Sequence, residues 1–247
     1  MPNERLGDAI LRHGLTPDHV ANALKVDRKT VERWITTGRT PYKKHRHAIS
    51  AMVQETEPYL WPNAVAPERA AGIAEAEVVK VYPHRRTVPS ELWTRLFDEA
   101  TDYIEILVFS GLFLTDDPSL IKKLRSKAKA GTAIRLLFGD PTSAELTRRS
   151  ESEGIGKNAI SGKARNSLAF FQPLADLNNV QIRCHGTPLY NSLYRFDDQM
   201  LVNTQIYGFM AAHAPVLHLR QLSAGDMFQT YAESFDAVWN LAKIPKW

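Results

Sequence analysis

The chain has 247 residues, of which 44% are hydrophobic and 23% charged, which is ordinary for a globular protein of one large or two modest domains. Its single cysteine, Cys184, excludes an intramolecular disulfide and favours a reducing compartment, so we expect a cytoplasmic location. No stretch approaches the roughly 18 apolar residues of a membrane span, and the first residues lack an apolar signal core, so we expect neither insertion nor export.

Positive charge is concentrated in one short part of the chain. The formal net charge is only +4, yet the segment 25–46 holds eight Lys and Arg residues against two acids, Asp27 and Glu32. This local excess is larger than the charge of the whole chain. Such a clustered basic segment indicates an anionic partner, and nucleic acid is the commonest one.

The first fifty residues contain three short amphipathic segments. Thr16 and Pro17 open the second segment as an N-cap and a first helical residue, and Asp27 caps the third. Only residues 25–27 separate the two, and so short a turn makes two helices cross steeply, which predicts a helix-turn-helix. The residues expected to face inward are Leu6, Ile10 and Leu11, then Val20, Ala21 and Leu24, then Val31, Trp34 and Ile35.

The outward face of the third helix is expected to enter the major groove of DNA, and a fourth helix begins after Gly38 and Pro41. An alternative is a solvated or protein-docking surface, but such a surface normally mixes charges of both signs. The residues predicted to contact bases or phosphates are Arg28, Lys29, Thr30, Arg33, Arg39, Lys43, Lys44 and Arg46.

Residues 4–53 resemble the XRE (Cro/CI-like) helix-turn-helix family. The resemblance implies a sequence-specific transcriptional regulator whose partner is double-stranded operator DNA. The residues that carry it are Thr16, Val20, Ala21, Leu24, Val26, Thr30, Val31, Trp34, Gly38 and Pro41.

A Glu- and Pro-rich segment from about residue 54 to 67 interrupts the helical pattern and marks a boundary. We predict a helix-turn-helix domain over 1–55, a connector over 56–77 and an α/β domain over 78–247, so that the chain is α/β in class and α+β overall. Strands are expected at 103–109, 133–138, 180–185 and 214–222, a hairpin at 192–204 with its turn at Asp197-Asp198, and helices at 90–100, 120–128 and 225–242.

The segments 191–198, 202–204 and 231–239 resemble one phospholipase-D-like module, of the kind that follows a helix-turn-helix in actinobacterial XRE-type regulators. Catalytic members carry His-x-Lys-x4-Asp, and these positions fall on Asn191, Leu193 and Asp198. Asparagine is no nucleophile of that type, and leucine does not neutralise a phosphoryl group. The resemblance therefore implies a degenerate module without catalytic residues. Because the enzymes place two modules face to face, it also implies a homodimer.

Metal and cofactor sites are not expected. The sequence lacks GxSxG, HExxH and P-loop motifs, and one cysteine does not make a common zinc site. His45 and His47 lie beside basic residues that suit DNA contact, and Asp116 and Asp117 precede a helix start. We interpret neither pair as metal ligands.

A cleft that has lost its chemistry can still bind a related molecule, so we expect a small anionic or nucleotide-like ligand near the carboxyl ends of the strands. The alternative for these polar residues is a solvated or core position. Two other functions stay open: a DNA-targeted phosphodiesterase or nuclease using Asp198, His185 or His213, and a regulator whose large domain binds a protein. The candidate ligand residues are Arg85, Asp140, Arg148, Glu153, Arg165, Asn166, Tyr194 and Asn203.

Overall fold

The computed structural model of the chain describes residues 2–62, 76–222, 225–245 and 247. They fall into two compact units. A helical unit lies within Met1–Glu75 with Leu222–Asp226, and an α/β unit lies within Ala76–Gln221 and Met227–Trp247. Within these described ranges, no helix has the length and apolar character needed to cross a membrane.

Five helices make up the described part of the helical unit. Leu60 and Trp61, in the segment predicted as a connector, pack into the same core as Leu6, Val31 and Trp34. Leu11 was expected to face inward, but it is 74% exposed, because one residue along a helix turns the side chain by about 100° from Ile10. The helices are α1 (Glu4–Arg12), α2 (Pro17–Leu24), α3 (Arg28–Thr36), α4 (Lys43–Val53) and α5 (Glu57–Leu60).

The predicted caps of α2 and α3 are confirmed. The Thr16 hydroxyl accepts a hydrogen bond from the backbone N–H of His19, and Pro17 is the first residue of α2. Asp27 accepts from the backbone N–H of Lys29 at 2.8 Å. Between these caps, Lys25 takes the left-handed conformation with φ 54°, and its N–H bonds to carbonyls of the last turn of α2. The caps and this turn fix where α2 ends and where α3 begins.

Replacing Lys25 by Gly should stabilise the helical unit by about 0.5 to 1 kcal/mol. A left-handed residue with a Cβ is strained, and glycine removes that strain at the cost of greater freedom in the unfolded chain. Chemical unfolding of Lys25→Gly and Lys25→Ala measures the effect, since both variants lose the charge and only the first relieves the backbone. Equal stability of the two variants would contradict this prediction.

The α/β unit is built on one seven-stranded sheet with the order β1-β7-β6-β5-β2-β3-β4. Strands β2, β3 and β4 are parallel, and the remaining neighbours pair antiparallel. The strands are β1 (Val78–Tyr82), β2 (Tyr103–Val108), β3 (Ala133–Gly139), β4 (Val180–His185), β5 (Asn191–Phe196), β6 (Gln199–Thr204) and β7 (Val216–Arg220). The helices are α6 (Ser90–Glu99), α7 (Leu120–Lys129), α8 (Ala144–Ser152), α9 (Ala159–Phe171) and α10 (Met227–Leu241).

Helices cover both faces of this sheet. One face, with Ile106 of β2 and Tyr194 of β5, packs against α6, α7 and α9. The other face, with Leu107 and Leu193, packs against α10. Because successive strand residues point to opposite faces, neighbouring positions of one strand belong to different cores.

The predicted class, an α/β chain with helices at its N-terminus, is confirmed, as is the hairpin that turns at Asp197-Asp198. Two details differ. Ser90 was expected to be an N-cap, but it is the first helical residue and Pro89 precedes it. The edge strand β1 was not predicted, because its exposed Val79 and Val81 lack the apolar and polar alternation of a half-buried strand.

Candidate functional site

The exposed face of α3 carries two cations that are available to a ligand. Lys29 and Arg33 are both exposed, and neither side chain makes an ion pair within the described residues. Thr30 is half-buried in the first turn of the helix. This part of α3 therefore presents two free cations to solvent, whereas Val31 and Trp34 are buried in the helical core.

Arg28 has a different environment from its neighbours. Its Nε lies 2.7 Å from a carboxylate oxygen of Glu32, and its Nη1 lies 3.0 Å from Asp18 on α2. The same guanidinium therefore connects α2 to α3. Because both contacts would have to be exchanged for a base edge, Arg28 is less available for reading DNA than Arg33.

Among the residues predicted to contact phosphates, Arg39, Lys43 and Lys44 are exposed. Arg46 is not available in the same way, because its side chain is only 15% exposed. It donates to Glu57 at 3.1 Å and to the Pro41 carbonyl at 2.9 Å. In this structure Arg46 holds α4 against α5, and its charge is already paired.

A cavity of about 290 Å³ lies in the α/β unit where β2 ends. Gly111, in the turn after β2, has a φ of 62°, and a Cβ there would meet the Val108 side chain at 2.9 Å. The sharp turn lets the short 3-10 helix Leu112–Asp116 follow at the cavity wall. Of the predicted ligand residues, this cavity brings together Arg85, Glu153 and Tyr194.

Three cations and two carboxylates line the cavity: Arg85, Arg149 and Lys163 with Asp116 and Glu153. The guanidinium of Arg149 lies 2.7 Å from Glu153 and donates to the Phe209 carbonyl at 2.8 Å, so it is already paired. The guanidinium of Arg85 lies over the ring of Phe113 at 3.9 Å, a contact that leaves its N–H groups free to bind an anion.

Two polar atoms at the cavity are buried without a hydrogen-bond partner, namely the Tyr194 hydroxyl and Oε1 of Gln205. Gln205 uses its Nε2 to donate to the Ser192 hydroxyl at 2.9 Å. Burial raises the pKa of Tyr194, and the nearby Arg85 and Ser192 oppose that rise without completing a hydrogen bond of ordinary geometry. Tyr194 is therefore a neutral hydroxyl that faces a cation.

The other predicted ligand residues lie elsewhere. Asp140 and Arg165 line a second cavity of about 640 Å³, together with residues of the C-terminal segment. Arg148 is exposed and paired with Glu145, and Asn166 is exposed. Asn203 is buried and donates to the carbonyls of Ala214 and Pro215. The eight candidates therefore do not form one site.

Sequence reasoning also left residues of the cavity out of the candidate list. Ser192 and Gln205 come together only because β5 and β6 pair, and Phe113 lies on a 3-10 helix that no periodicity predicted. The one available signal was alternation: Ser192 shares a strand face with Tyr194. Arg149 and Lys163 also line the cavity, one and two residues along the chain from the candidates Arg148 and Arg165.

The face of β5 that lines the cavity is not the face that the phospholipase-D-like resemblance selected. Leu193 packs against α10 on the opposite side of the sheet from the cavity, so Asn191 and Leu193 are not the cavity-facing pair. A register one residue earlier places the motif on Tyr190, Ser192 and Asp197. Neither register supplies the histidine and lysine of the motif.

The alternative function, a DNA-targeted phosphodiesterase, would use Asp198, His185 or His213, and none of these residues lines the cavity. His185 is 2% exposed, its Nδ1 accepts from the N–H of Thr187, and its Nε2 donates to the Val108 carbonyl. Burial lowers the pKa of His185, which keeps the ring neutral. No histidine lines the cavity, and the part of the chain that the structure describes has no group of three His, Cys, Asp or Glu side chains arranged to hold a metal.

The chain therefore has an N-terminal helical unit, which carries a basic helix-turn-helix face, and an α/β unit with a polar cavity where β2 ends. No family model matches the chain. No curated protein matches it either.

Two solved structures are similar in part. One, TrmBL2, an archaeal chromatin protein with a novel mode of DNA binding, is 14% identical, with 68% of this chain and 54% of that chain covered and a TM-score of 0.43. The other is Nuc from Salmonella typhimurium, a phospholipase D family member, at 12% identity, 64% and 90% coverage and a TM-score of 0.36. This chain thus spans about half of the TrmBL2 chain. At these TM-scores, neither likeness assigns a function here.

Proposed function

We propose that this chain is a homodimeric, sequence-specific DNA-binding transcriptional regulator whose α/β unit senses a small ligand and has no catalytic role. The observation that carries the proposal is the exposed basic face of α3, which follows a three-residue turn after α2 and holds Lys29 and Arg33 without partners in the described chain. A helix presented in this way fits the major groove of DNA. The XRE-like pattern of residues 4–53 supports the same interpretation.

The direct test is selection of an operator from random duplex DNA by the purified full chain, followed by a salt titration of the selected site. We expect a palindromic or repeated consensus, because two recognition helices related by a two-fold axis contact half-sites about one helical turn or a multiple apart. Affinity should fall steeply as salt rises, since Arg and Lys contacts release counterions. Recovery of no consensus would contradict sequence-specific recognition.

Arg33 and Arg28 should respond differently to replacement by Ala. Arg33→Ala should lower the discrimination between operator and random DNA by about 1 to 3 kcal/mol, the range for a bidentate contact to a base. Arg28→Ala should weaken binding to both DNAs alike, because its ion pair with Asp18 joins α3 to α2 and its pair with Glu32 lies within α3. Fluorescence anisotropy with operator and scrambled duplexes measures both effects.

Lys43→Ala and Lys44→Ala are the matched controls for these variants. If they contact phosphates, each should weaken all duplexes similarly and reduce the slope of log affinity against log salt by about one. An Arg33 variant that behaves like the Lys43 variant would remove Arg33 from base reading.

The proposed absence of catalysis has its own measurement. Among the described residues no histidine lines the cavity, and neither register of the motif on β5 supplies a nucleophile with its phosphate-binding lysine. Incubation of the full chain with labelled DNA and with a chromogenic phosphodiester, each in the presence of divalent metal, should give no turnover above that of the buffer. Turnover that is lost on Asp198→Ala or His213→Ala would favour the DNA-targeted phosphodiesterase.

A further inference from the structure

The hydrogen-bonding groups that line the cavity indicate which chemical groups a bound ligand must carry. Tyr194 is 1% exposed, and its buried hydroxyl completes no hydrogen bond of ordinary geometry within the protein, so burial has removed it from water with little compensation. Oε1 of Gln205 is also buried without a hydrogen-bond partner, and as an amide oxygen it can only accept a hydrogen bond. A ligand that satisfies both atoms must offer an acceptor to the tyrosine and a donor to the glutamine.

Ser192 adds a second donor beside these atoms. It is 3% exposed, and its oxygen accepts from Nε2 of Gln205, so its own hydrogen can turn to the adjacent Tyr194 oxygen or to a ligand. The bond to Ser192 also fixes the orientation of the glutamine amide, because Nε2 must face the serine. Oε1 is then held as an acceptor, and a ligand donor is required to meet it.

The charges of the lining limit the charge of the ligand. Three cations against two carboxylates leave a formal charge of +1, and the pair of Arg149 with Glu153 accounts for one of each. Arg85 and Lys163 then oppose Asp116 alone. A single negative charge balances this set, whereas a dianion would leave one charge uncompensated in a partly buried site.

We propose that the cavity binds a small organic monoanion that carries a hydroxyl or amine donor next to its anionic group. The anionic oxygens accept from Arg85, Tyr194 and Ser192, and the neighbouring donor bonds to Oε1 of Gln205. A volume of about 290 Å³ lies at the lower end of small-molecule sites and suits a compact ligand. The inference deepens the sensing role of the proposed function and rests on it for its biological meaning, but the binding itself is measured without DNA.

The test compares three minimal probes with the full-length chain at constant ionic strength, by NMR-detected titration. Acetate supplies the anion alone, glycolate adds a hydroxyl on the adjacent carbon, and dimethyl phosphate is a monoanionic phosphodiester. We expect saturable binding that sodium chloride does not reproduce, and we expect glycolate to bind about 3 to 10 times tighter than acetate, which is the effect of one hydrogen bond. If dimethyl phosphate binds tighter than acetate, the anion of the natural ligand is a phosphodiester. The opposite order identifies a carboxylate.

Three variants assign the contacts. Gln205→Met should abolish the preference for glycolate over acetate, because only Oε1 meets the extra hydroxyl. Tyr194→Phe should weaken both probes by about 3 to 10 times, since the ring packing stays and one donor is lost. Arg85→Gln should weaken both probes by more than about tenfold, as expected for a charge-assisted bond.

Several outcomes would overturn the inference. Shifts that match those of sodium chloride would mean that water alone satisfies Tyr194 and Gln205. Equal affinity for glycolate and acetate in the unmodified chain would remove the donor requirement, and binding that survives Arg85→Gln would move the anion elsewhere. The circular dichroism spectrum of each variant checks its fold. Operator binding by the same preparations is scored separately, so loss of DNA recognition and loss of anion binding are distinguishable.

Discussion

Replacing Glu105 by Ala should lower the free energy of unfolding of the α/β unit by about 3 to 5 kcal/mol, the cost of breaking one partner out of a buried ion pair. Glu105 is 1% exposed in the middle of β2. Arg135 of β3 donates to it through Nε at 2.7 Å, and Nη1 of Arg195 on β5 lies 3.1 Å from its other oxygen. Without the carboxylate, two guanidinium groups that are only 26% and 19% exposed lie on either side of the same position of β2.

The surroundings of these arginines explain why they do not simply turn to solvent. Arg135 also pairs with Asp236 at 2.8 Å and lies over the rings of Phe235 and Trp239 on α10. Arg195 lies over Tyr103 and Phe228. Both side chains are therefore fixed between the sheet and α10, where they repel one another once Glu105 is gone.

A triple variant separates the charge from the packing. Replacing Glu105 by Leu together with Arg135→Met and Arg195→Met removes all three charges and should recover most of the loss, because well-packed apolar residues often replace a buried ion group without penalty. Hydrogen exchange of β2 and β5 amides in the full chain reports the stability of this unit alone. A Glu105→Ala variant within about 1 kcal/mol of the parent chain would contradict the argument.

Glu105 also shows why the sequence predicted strands better than it predicted their contacts. Each of the three segments 103–109, 133–138 and 192–196 is mostly apolar with one charged residue, and local patterning was sufficient to predict the first two as strands and the third as part of a hairpin. That Glu105 lies opposite both Arg135 and Arg195 depends on the register of two strand pairs. Register is set by the whole sheet, so no local pattern contained it.

The two candidate sites also differ in how far local sequence determines them. The helix-turn-helix depends on caps and a three-residue turn within about twenty residues, and both caps are where the sequence placed them. The cavity joins a turn after β2, two residues of β5 and a residue after β6, whereas the register taken from the phospholipase-D-like resemblance selected Leu193, which faces α10. A shift of one residue reverses the face of every side chain on a strand, so a small alignment error becomes a complete error about the site.

Asp197 should stabilise the α/β unit in a way that depends on pH. In the register that uses Tyr190 and Ser192, this residue takes the place of the motif aspartate. Oδ1 accepts from the N–H groups of Asp102 and Tyr103 at 2.9 and 2.6 Å, and Oδ2 accepts from the N–H of Thr101 at 2.8 Å. Partial burial raises the pKa of Asp197, but the hydrogen bonds from Tyr103, Thr101 and Asp102 outweigh it and the pKa is lowered overall. The carboxylate thus joins the hairpin turn to the start of β2.

Asp197→Asn should lower the free energy of unfolding by about 1.5 to 3 kcal/mol at neutral pH, as for hydrogen bonds to a charged group. Asparagine tolerates the φ of 50° at this position, so the loss reports the carboxylate and not backbone strain. Because the native pKa is depressed, the stabilisation is complete above the unfolded pKa of about 3.9 and is lost as pH falls through the lower native value.

The difference between the parent chain and Asp197→Asn should therefore be constant near neutral pH and shrink in acid, as measured by urea unfolding across that range. Asp198→Asn is the matched control, since Asp198 is exposed on the same turn and its side chain has only a long contact to Gln199 at 3.5 Å. It should change stability by less than about 0.5 kcal/mol. A difference for Asp197→Asn that persists unchanged in acid would mean that its charge contributes nothing, and the aspartate would then be held by the turn alone.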